Sequence, residues 1–224
     1  MTTSDTEVLV PTPRGSALLL LSRPRGPRAL VVLGHGAGGD HTAPVLQAVR
    51  AALVADGHAV ALLVQPYRVA GRRVPDRPDL LDAAALCAVA SLRSRHSLRD
   101  LALVVGGKSS GARVACRTAS AAGAVGVVAL GFPLVPPGRP DKSRAAELLL
   151  AGCPVLVVQG ERDAFGGPAE IQAAVPADAA VSVHAVMAGD HSYGARRSDP
   201  RSTKDCLAEV ATTVVAWVGQ LAAT

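Results

Sequence analysis

Short apolar runs alternate with amphipathic stretches along most of the chain. Continuous apolar runs are typical of strands covered on both faces, and apolar residues spaced three or four apart are typical of helices. The pattern predicts strands at 7–10, 16–22, 29–33, 59–64, 101–105, 125–130, 154–158 and 180–186. It predicts helices at 43–55, 80–95, 142–150, 168–175 and 202–221, and a further helix that continues from Ala112.

This alternation indicates a mostly parallel sheet with helices on both faces, because parallel strands need crossover connections. The first two strands are joined by the Pro- and Gly-containing turn 11–15, which predicts an antiparallel edge. We therefore expect an α/β, three-layer αβα sandwich with an eight-stranded sheet. No linker or repeat divides the sequence, and no large insertion follows the sixth strand, so residues 1–224 are expected to form one domain without a cap.

The segment 107–111, Gly-Lys-Ser-Ser-Gly, lies between a predicted buried strand and a predicted helix. It matches G-x-S-x-G, the nucleophile elbow, in the structural context that this motif requires. Glycines two residues before and after Ser109 avoid collisions at a sharp, strained turn. The same turn places the Ser110 N–H at a helix N-terminus, where it could face an oxyanion.

Two nucleotide-binding interpretations compete for the glycine-rich segments. The loop 34–39 fits G-x-G-x-x-G, but the next acidic residue after the following strand is Asp76, too far along for a dinucleotide site. The segment 107–109 resembles the end of a P-loop, but Ala102 stands where that motif needs its first glycine. Both interpretations are therefore weaker than a nucleophilic serine.

A nucleophilic serine needs a histidine base and an orienting acid. His191 follows the last predicted strand, at the carboxyl end of the sheet, and is the predicted base. Other histidines open a helix or lie at the wrong end of the sheet or inside it: His41, His58, His96 and His184. Asp163 follows the seventh strand and is the predicted acid, since Glu161 is too close to the strand and Asp190 adjoins the histidine. The order Ser, Asp, His is that of α/β-hydrolases.

The glycine-rich loop after the third strand is expected to supply a second oxyanion donor. We expect this donor to be the Ala37 N–H, with Gly36 as the alternative, because small residues expose their backbone amides. His35 is expected to be structural and to bond loop backbone.

Five ordered motifs resemble the compact, cap-less α/β-hydrolases related to dienelactone hydrolase, and the likeness spans nearly the whole chain. They are residues 34–39, residues 107–111, the proline-containing stretch 133–138, Gly160-Glu161-Arg162-Asp163 and Gly189-Asp190-His191-Ser192. The resemblance implies a Ser109–His191–Asp163 triad, no cofactor and no particular substrate. Ser109 departs from dienelactone hydrolase itself, which has a cysteine there.

Composition narrows the possible partners. The net charge is +5, but the 20 Arg and 3 Lys are scattered and there are only five aromatic residues, so nucleic acid is not an expected partner. The spacing of the four cysteines fits no zinc pattern, so no metal site is expected. No apolar run approaches the roughly 20 residues of a membrane helix, and no secretory signal is recognised at the N-terminus. The widely spaced cysteines (Cys87, Cys116, Cys153 and Cys206) favour free thiols and a cytoplasmic location.

The expected substrate is a small acyl compound, an ester or thioester, bound in a shallow open site. Residues expected at the same end of the sheet, and so able to line that site with Gly36, are Tyr67, Arg68, Phe132, Leu134, Arg139 and Phe165. Either arginine could meet a substrate carboxylate. A non-catalytic binding scaffold and an acyl or peptidyl transferase are the alternative functions.

Overall fold

The fold is built on one eight-stranded sheet, seen in a computed structural model that describes residues 3–139 and 141–223; the ends of the predicted 1–224 domain lie outside these ranges. The strands are β1 (Thr3–Thr12), β2 (Gly15–Pro24), β3 (Ala29–Gly34), β4 (Ala59–Val64), β5 (Ala102–Lys108), β6 (Gly126–Leu130), β7 (Val155–Gly160) and β8 (Val181–Val186). Their spatial order is β1-β2-β4-β3-β5-β6-β7-β8. Strand β2 runs antiparallel to β1 and β4, and the remaining pairs are parallel, as predicted.

Strand β1 is longer than the apolar pattern predicts. Among the residues of β1 whose burial is described, only Val10, near the end of the strand, is buried, and polar residues such as Asp5 and Thr6 are exposed. The strand nevertheless pairs along its whole length with β2, from Thr3 opposite Pro24 to Thr12 opposite Gly15. An edge strand of an antiparallel pair keeps one face in water, so its hydrophobic signal is weak.

In the part of the chain that the structure describes, seven helices cover the two faces of the sheet. They are α1 (Pro44–Ala55), α2 (Pro66–Val69), α3 (Pro78–Arg93), α4 (Ser110–Ala122), α5 (Ala145–Leu149), α6 (Pro168–Ala174) and α7 (Thr203–Leu221). Two apolar cores result: one contains buried residues of α1 and α7, and the other contains those of α3 to α6. This confirms the expected three layers. The short helix α2 lies in a stretch where the apolar pattern predicts no helix.

Local sequence explains several helix boundaries. Helices α1, α2, α3 and α6 each begin with a proline, whose missing N–H costs nothing in the first turn. A capping box begins α7: the Asp205 N–H donates to the Ser202 Oγ and the Ser202 N–H donates to the Asp205 carboxylate. Between β6 and β7 the described residues contain one helix of five residues, α5.

The four cysteines are free thiols, and Cys116 and Cys206 are buried. Burial raises the pKa of the Cys116 thiol to about 12, so it stays protonated at neutral pH. In the part of the chain that the structure describes, no helix combines the length and the apolar character needed to cross a membrane.

Candidate active site

Ser109 occupies the turn between β5 and α4. Its backbone angles are φ 53° and ψ −111°, a region that non-glycine residues rarely adopt. The Ser109 N–H donates to the Leu130 carbonyl at the end of β6 over 2.9 Å, and the Ser109 carbonyl accepts from the Arg113 N–H in the first turn of α4. The surrounding structure thus holds the serine in a strained conformation, as expected for a nucleophile elbow.

The two motif glycines allow this turn to pack against β3. A Cβ on Gly107 would lie 2.4 Å from the Gly34 carbonyl oxygen, and a Cβ on Gly111 would lie 2.3 Å from the same atom. Three backbone segments therefore meet where no side chain fits. This close approach brings the loop after β3 alongside Ser109: a Cβ on Gly36 would be 3.5 Å from the Ser109 Cβ.

A continuous chain of hydrogen bonds links Ser109, His191 and Asp163. The serine Oγ lies 3.0 Å from His191 Nε2, and His191 Nδ1 lies 2.8 Å from Asp163 Oδ2. With the proton on Nδ1, the imidazole donates to the carboxylate and leaves Nε2 free to accept from the serine hydroxyl. The structure brings together the three side chains that the sequence singles out.

Asp163 has a fully buried carboxylate, and both of its oxygens accept hydrogen bonds. Its side chain has no exposed surface. Oδ1 accepts from the Phe165 N–H at 2.9 Å, and Oδ2 accepts from Gln159 Nε2 at 2.8 Å as well as from His191. Hydrogen bonds of this kind stabilise the ionised carboxylate and fix its plane.

The loop that carries His191 is anchored to the end of β7. The buried Tyr193 hydroxyl donates to the Val158 carbonyl over 2.8 Å. Arg162 Nε donates to the Ala188 carbonyl, and the Ala188 N–H donates to the Glu161 carboxylate, both over 3.1 Å. The acid-bearing loop and the histidine-bearing loop therefore support each other.

Asp190 does not compete for the imidazole. Its Oδ1 accepts from the Ser192 N–H at 2.7 Å and from the Gly194 N–H at 2.8 Å. These bonds close the turn that presents His191. Its role is therefore local, as its position next to the histidine suggests.

The loop after β3 presents backbone amides beside Ser109. The Gly36 carbonyl accepts from His35 Nδ1 at 2.8 Å and from the Gly39 N–H at 3.1 Å. Because the N–H and C=O of a trans peptide point in opposite directions, the Ala37 N–H faces away from these partners. Among the described residues, none accepts a hydrogen bond from the Ala37 N–H or the Ser110 N–H.

His35 is a structural histidine, as expected. Its Nε2 accepts from the Gln65 N–H over 3.1 Å, so the ring is neutral with its proton on Nδ1. Burial lowers its pKa below the ordinary value of 6.5, which keeps the ring neutral. Tyr67 also holds the loop after β3, because its hydroxyl donates to the Ala37 carbonyl over 2.8 Å.

A family model described as an alpha/beta hydrolase domain matches residues 27–219. The chain belongs to the alpha/beta hydrolase family. A search of curated proteins finds no match.

Solved structures of other alpha/beta hydrolases share this fold at low sequence identity. A dienelactone hydrolase from Anabaena variabilis superposes with a TM-score of 0.77 at 18% identity, covering 98% of this chain and 99% of that one. An alpha-beta serine hydrolase homologue from Coxiella burnetii gives 0.76 at 16% identity, covering 97% and 99%. A serine hydrolase without lid from Xanthomonas campestris gives 0.71 at 18% identity, covering 97% and 96%.

In this alpha/beta hydrolase a cleft of about 440 Å³ opens above Ser109, within the usual size range for small-molecule sites. Phe165 and Gly36 line it, as the sequence analysis predicts. The Phe165 ring also lies against the His191 ring, with centroids 4.5 Å apart. The remaining lining consists of residues 37–39, 43–45, 108–109 and 191–192.

Five residues predicted to line the cleft do not do so. Tyr67, Phe132 and Leu134 are buried: Tyr67 supports the Ala37 loop, and the other two belong to the apolar core. Arg68 pairs with Asp40 over 3.5 Å and donates to the Arg72 carbonyl. Arg139 is exposed on the loop that follows β6. Lying at the correct end of the sheet does not decide which way a side chain points.

Gln159 is a site residue that the sequence does not reveal. Its side chain is fully buried at the end of β7. Nε2 lies 2.8 Å from Asp163 Oδ2 and 2.7 Å from the Gly166 carbonyl, and Oε1 accepts from the Phe132 N–H over 2.8 Å. One amide thus joins the acid to the loops after β6 and β7. A glutamine near a strand end carries no pattern that predicts such a role.

Proposed function

We propose that this protein is a serine hydrolase that cleaves a small ester or thioester through an acyl-enzyme on Ser109. The observation that carries the proposal is the continuous hydrogen-bonded chain from the Ser109 hydroxyl through His191 to the buried Asp163 carboxylate. The family supports the proposal, because it supplies the elbow, the acid and the histidine in the same chain order.

In the first half-reaction the Ser109 oxygen attacks the substrate carbonyl carbon while its proton passes to His191 Nε2. The carbonyl electrons move to oxygen, and the Ala37 and Ser110 N–H groups donate to that oxyanion. Asp163 holds the imidazole in the tautomer that accepts the proton and stabilises the imidazolium. When the tetrahedral intermediate collapses, the bond to the leaving oxygen or sulfur breaks, and the leaving group takes the proton from His191.

In the second half-reaction water attacks the acyl-enzyme and gives a proton to His191. The resulting oxyanion occupies the same two N–H donors. Collapse breaks the bond to Ser109 Oγ, returns the proton to the serine and releases the carboxylic acid. Removing one donor from such a site typically costs roughly 3 kcal/mol of transition-state stabilisation.

The test combines covalent labelling with turnover. A fluorophosphonate probe is expected to label wild type on Ser109 and not to label Ser109→Ala. A panel of p-nitrophenyl esters and thioesters is expected to show turnover that falls by about a million-fold in that variant. Equal labelling of wild type and Ser109→Ala, or an absence of both labelling and turnover, would refute the proposal; the second result would favour a binding scaffold.

A further inference from the structure

Lys108 places a positive charge in the wall of the cleft, immediately before Ser109 in the chain. It is the only Lys, Arg, Asp or Glu among the described residues that line the cleft. The rest of the lining is made of small or apolar residues together with Ser109, His191 and Ser192. An ammonium ion therefore dominates the fixed charge that a bound substrate meets.

This ammonium has no partner of its own. Among the described residues, none forms a hydrogen bond or an ion pair with the Lys108 side chain, which is half-buried. Partly buried arginines elsewhere do have partners: Arg113 pairs with Glu147, Arg117 with Asp82, and Arg162 with Asp199. Burial lowers the pKa of Lys108, because the charged form loses hydration. An unpaired, partly desolvated cation gains free energy when an anion reaches it.

The nearby carboxylates cannot serve as that anion. Asp163 and Asp190 act on Lys108 through space and favour its charged form. Both carboxylates already accept hydrogen bonds from their own loops and, for Asp163, from His191. A ligand is therefore left as the counter-ion.

Lys108 lines the same cleft as His191, which lies on the loop after β8. In the mechanism proposed above, His191 gives its proton to the leaving group, so the leaving group lies on the histidine side. Lys108 directly precedes Ser109 in the chain and lines the cleft, so its ammonium can reach groups close to the reacting bond.

We propose, resting on the serine hydrolase function above, that Lys108 is a specificity-determining residue that binds a carboxylate on the leaving alcohol or thiol of the substrate. The preferred substrates are then short-chain esters or thioesters whose leaving group carries a negative charge a few bonds from the scissile oxygen or sulfur. The small apolar residues at 43–45 fit a short acyl chain.

The experiment compares matched substrate pairs. The first pair is 3-carboxyphenyl acetate and its methyl ester, which differ in charge on the leaving group. The second pair is 4-nitrophenyl hydrogen succinate and its methyl ester, which differ in charge on the acyl side. For each pair the measured quantity is the ratio of kcat/KM for the anionic substrate to that for the neutral one, in wild type, Lys108→Met, Lys108→Arg and Lys204→Met. Lys204 is exposed on α7, so Lys204→Met removes the same charge at a position away from the cleft.

We expect the leaving-group ratio to fall about 10- to 100-fold in Lys108→Met, the loss typical of a charge-assisted hydrogen bond. Lys108→Arg should retain part of the ratio, and Lys204→Met should match wild type. Fluorophosphonate labelling of Lys108→Met checks that its site is assembled. If the ratio is the same in wild type and Lys108→Met, or if only the acyl-side ratio changes, the inference is wrong. If no variant turns over any of the four substrates and wild-type Ser109 is not labelled, the proposed function itself fails.

Discussion

Replacing Gln159 by methionine tests whether the position of Asp163 depends on the buried amide. Methionine has a similar length and no hydrogen-bonding amide, so the space stays filled while four hydrogen bonds are lost. The Phe132 N–H and the Gly166 carbonyl lose a partner, and Asp163 Oδ2 retains only His191.

The structure gives the size of the effect. A buried polar group left without a partner costs about 1–3 kcal/mol, so we expect Gln159→Met to lower the free energy of unfolding by about 3 kcal/mol. For a chain of this length, that corresponds to a fall in Tm of about 6–12 °C. Asp163 would keep its Phe165 and His191 contacts but lose a fixed orientation, and a displaced catalytic group can cost up to about 100-fold in rate. We therefore expect kcat to fall about 10- to 100-fold with little change in KM.

The assay is steady-state hydrolysis of a neutral ester, at a temperature at which circular dichroism shows the variant to be folded. The matched control is Gln65→Met, which changes another buried glutamine near a strand end. The Gln65 side chain donates to the Leu81 carbonyl and does not contact Asp163, so this variant should lose stability but keep kcat. A kcat for Gln159→Met within about twofold of wild type, or an equal loss in both variants, would show that the amide serves stability alone.

Two further predictions concern backbone strain and pH. Ser109→Gly should raise the free energy of unfolding by about 1 kcal/mol, because glycine tolerates φ 53°, and it should abolish fluorophosphonate labelling. Chemical denaturation measures the free energy of unfolding. A variant less stable than wild type would show that the backbone at position 109 is not strained. The lowered pKa of His35 means that the unfolded chain binds a proton at higher pH than the folded one. Its contribution to stability is therefore present above pH 6.5 and lost as the pH falls through the folded pKa, so wild type should lose more stability between pH 7.5 and 5.5 than His35→Gln does. Parallel pH profiles would show that His35 is not the group responsible.

The sequence predicted the fold well because its central strands are covered on both faces. Strands such as β4, in which every residue is buried, give an apolar run that can be recognised without a structure. The edge strand β1 and the short helix α2 were predicted less well. Pairing with β2 determines β1, and α2 has only four residues, so the local pattern carries little signal for either.

The positions of Ser109, Asp163 and His191 were predictable because each follows a parallel strand at its carboxyl end, where such loops converge. The residues that line the cleft could not be predicted in this way. Phe132 and Phe165 both lie in loops at this end, yet the first is buried in the core and the second faces the cleft. Which of two loop side chains turns inward depends on backbone angles that composition and periodicity do not report.

The loop that carries the Ala37 amide is held from the segment after β4, through the Gln65 N–H and the Tyr67 hydroxyl. Anyone who varies Tyr67 to broaden the range of accepted acyl groups would therefore also alter the amide geometry on which turnover depends, whereas the Gln65 contact is made by its backbone N–H and survives a change of side chain. Libraries aimed at selectivity are better directed to residues 43–45, which border the cleft from α1. The distinction separates positions where variation changes what binds from positions where it changes whether anything reacts.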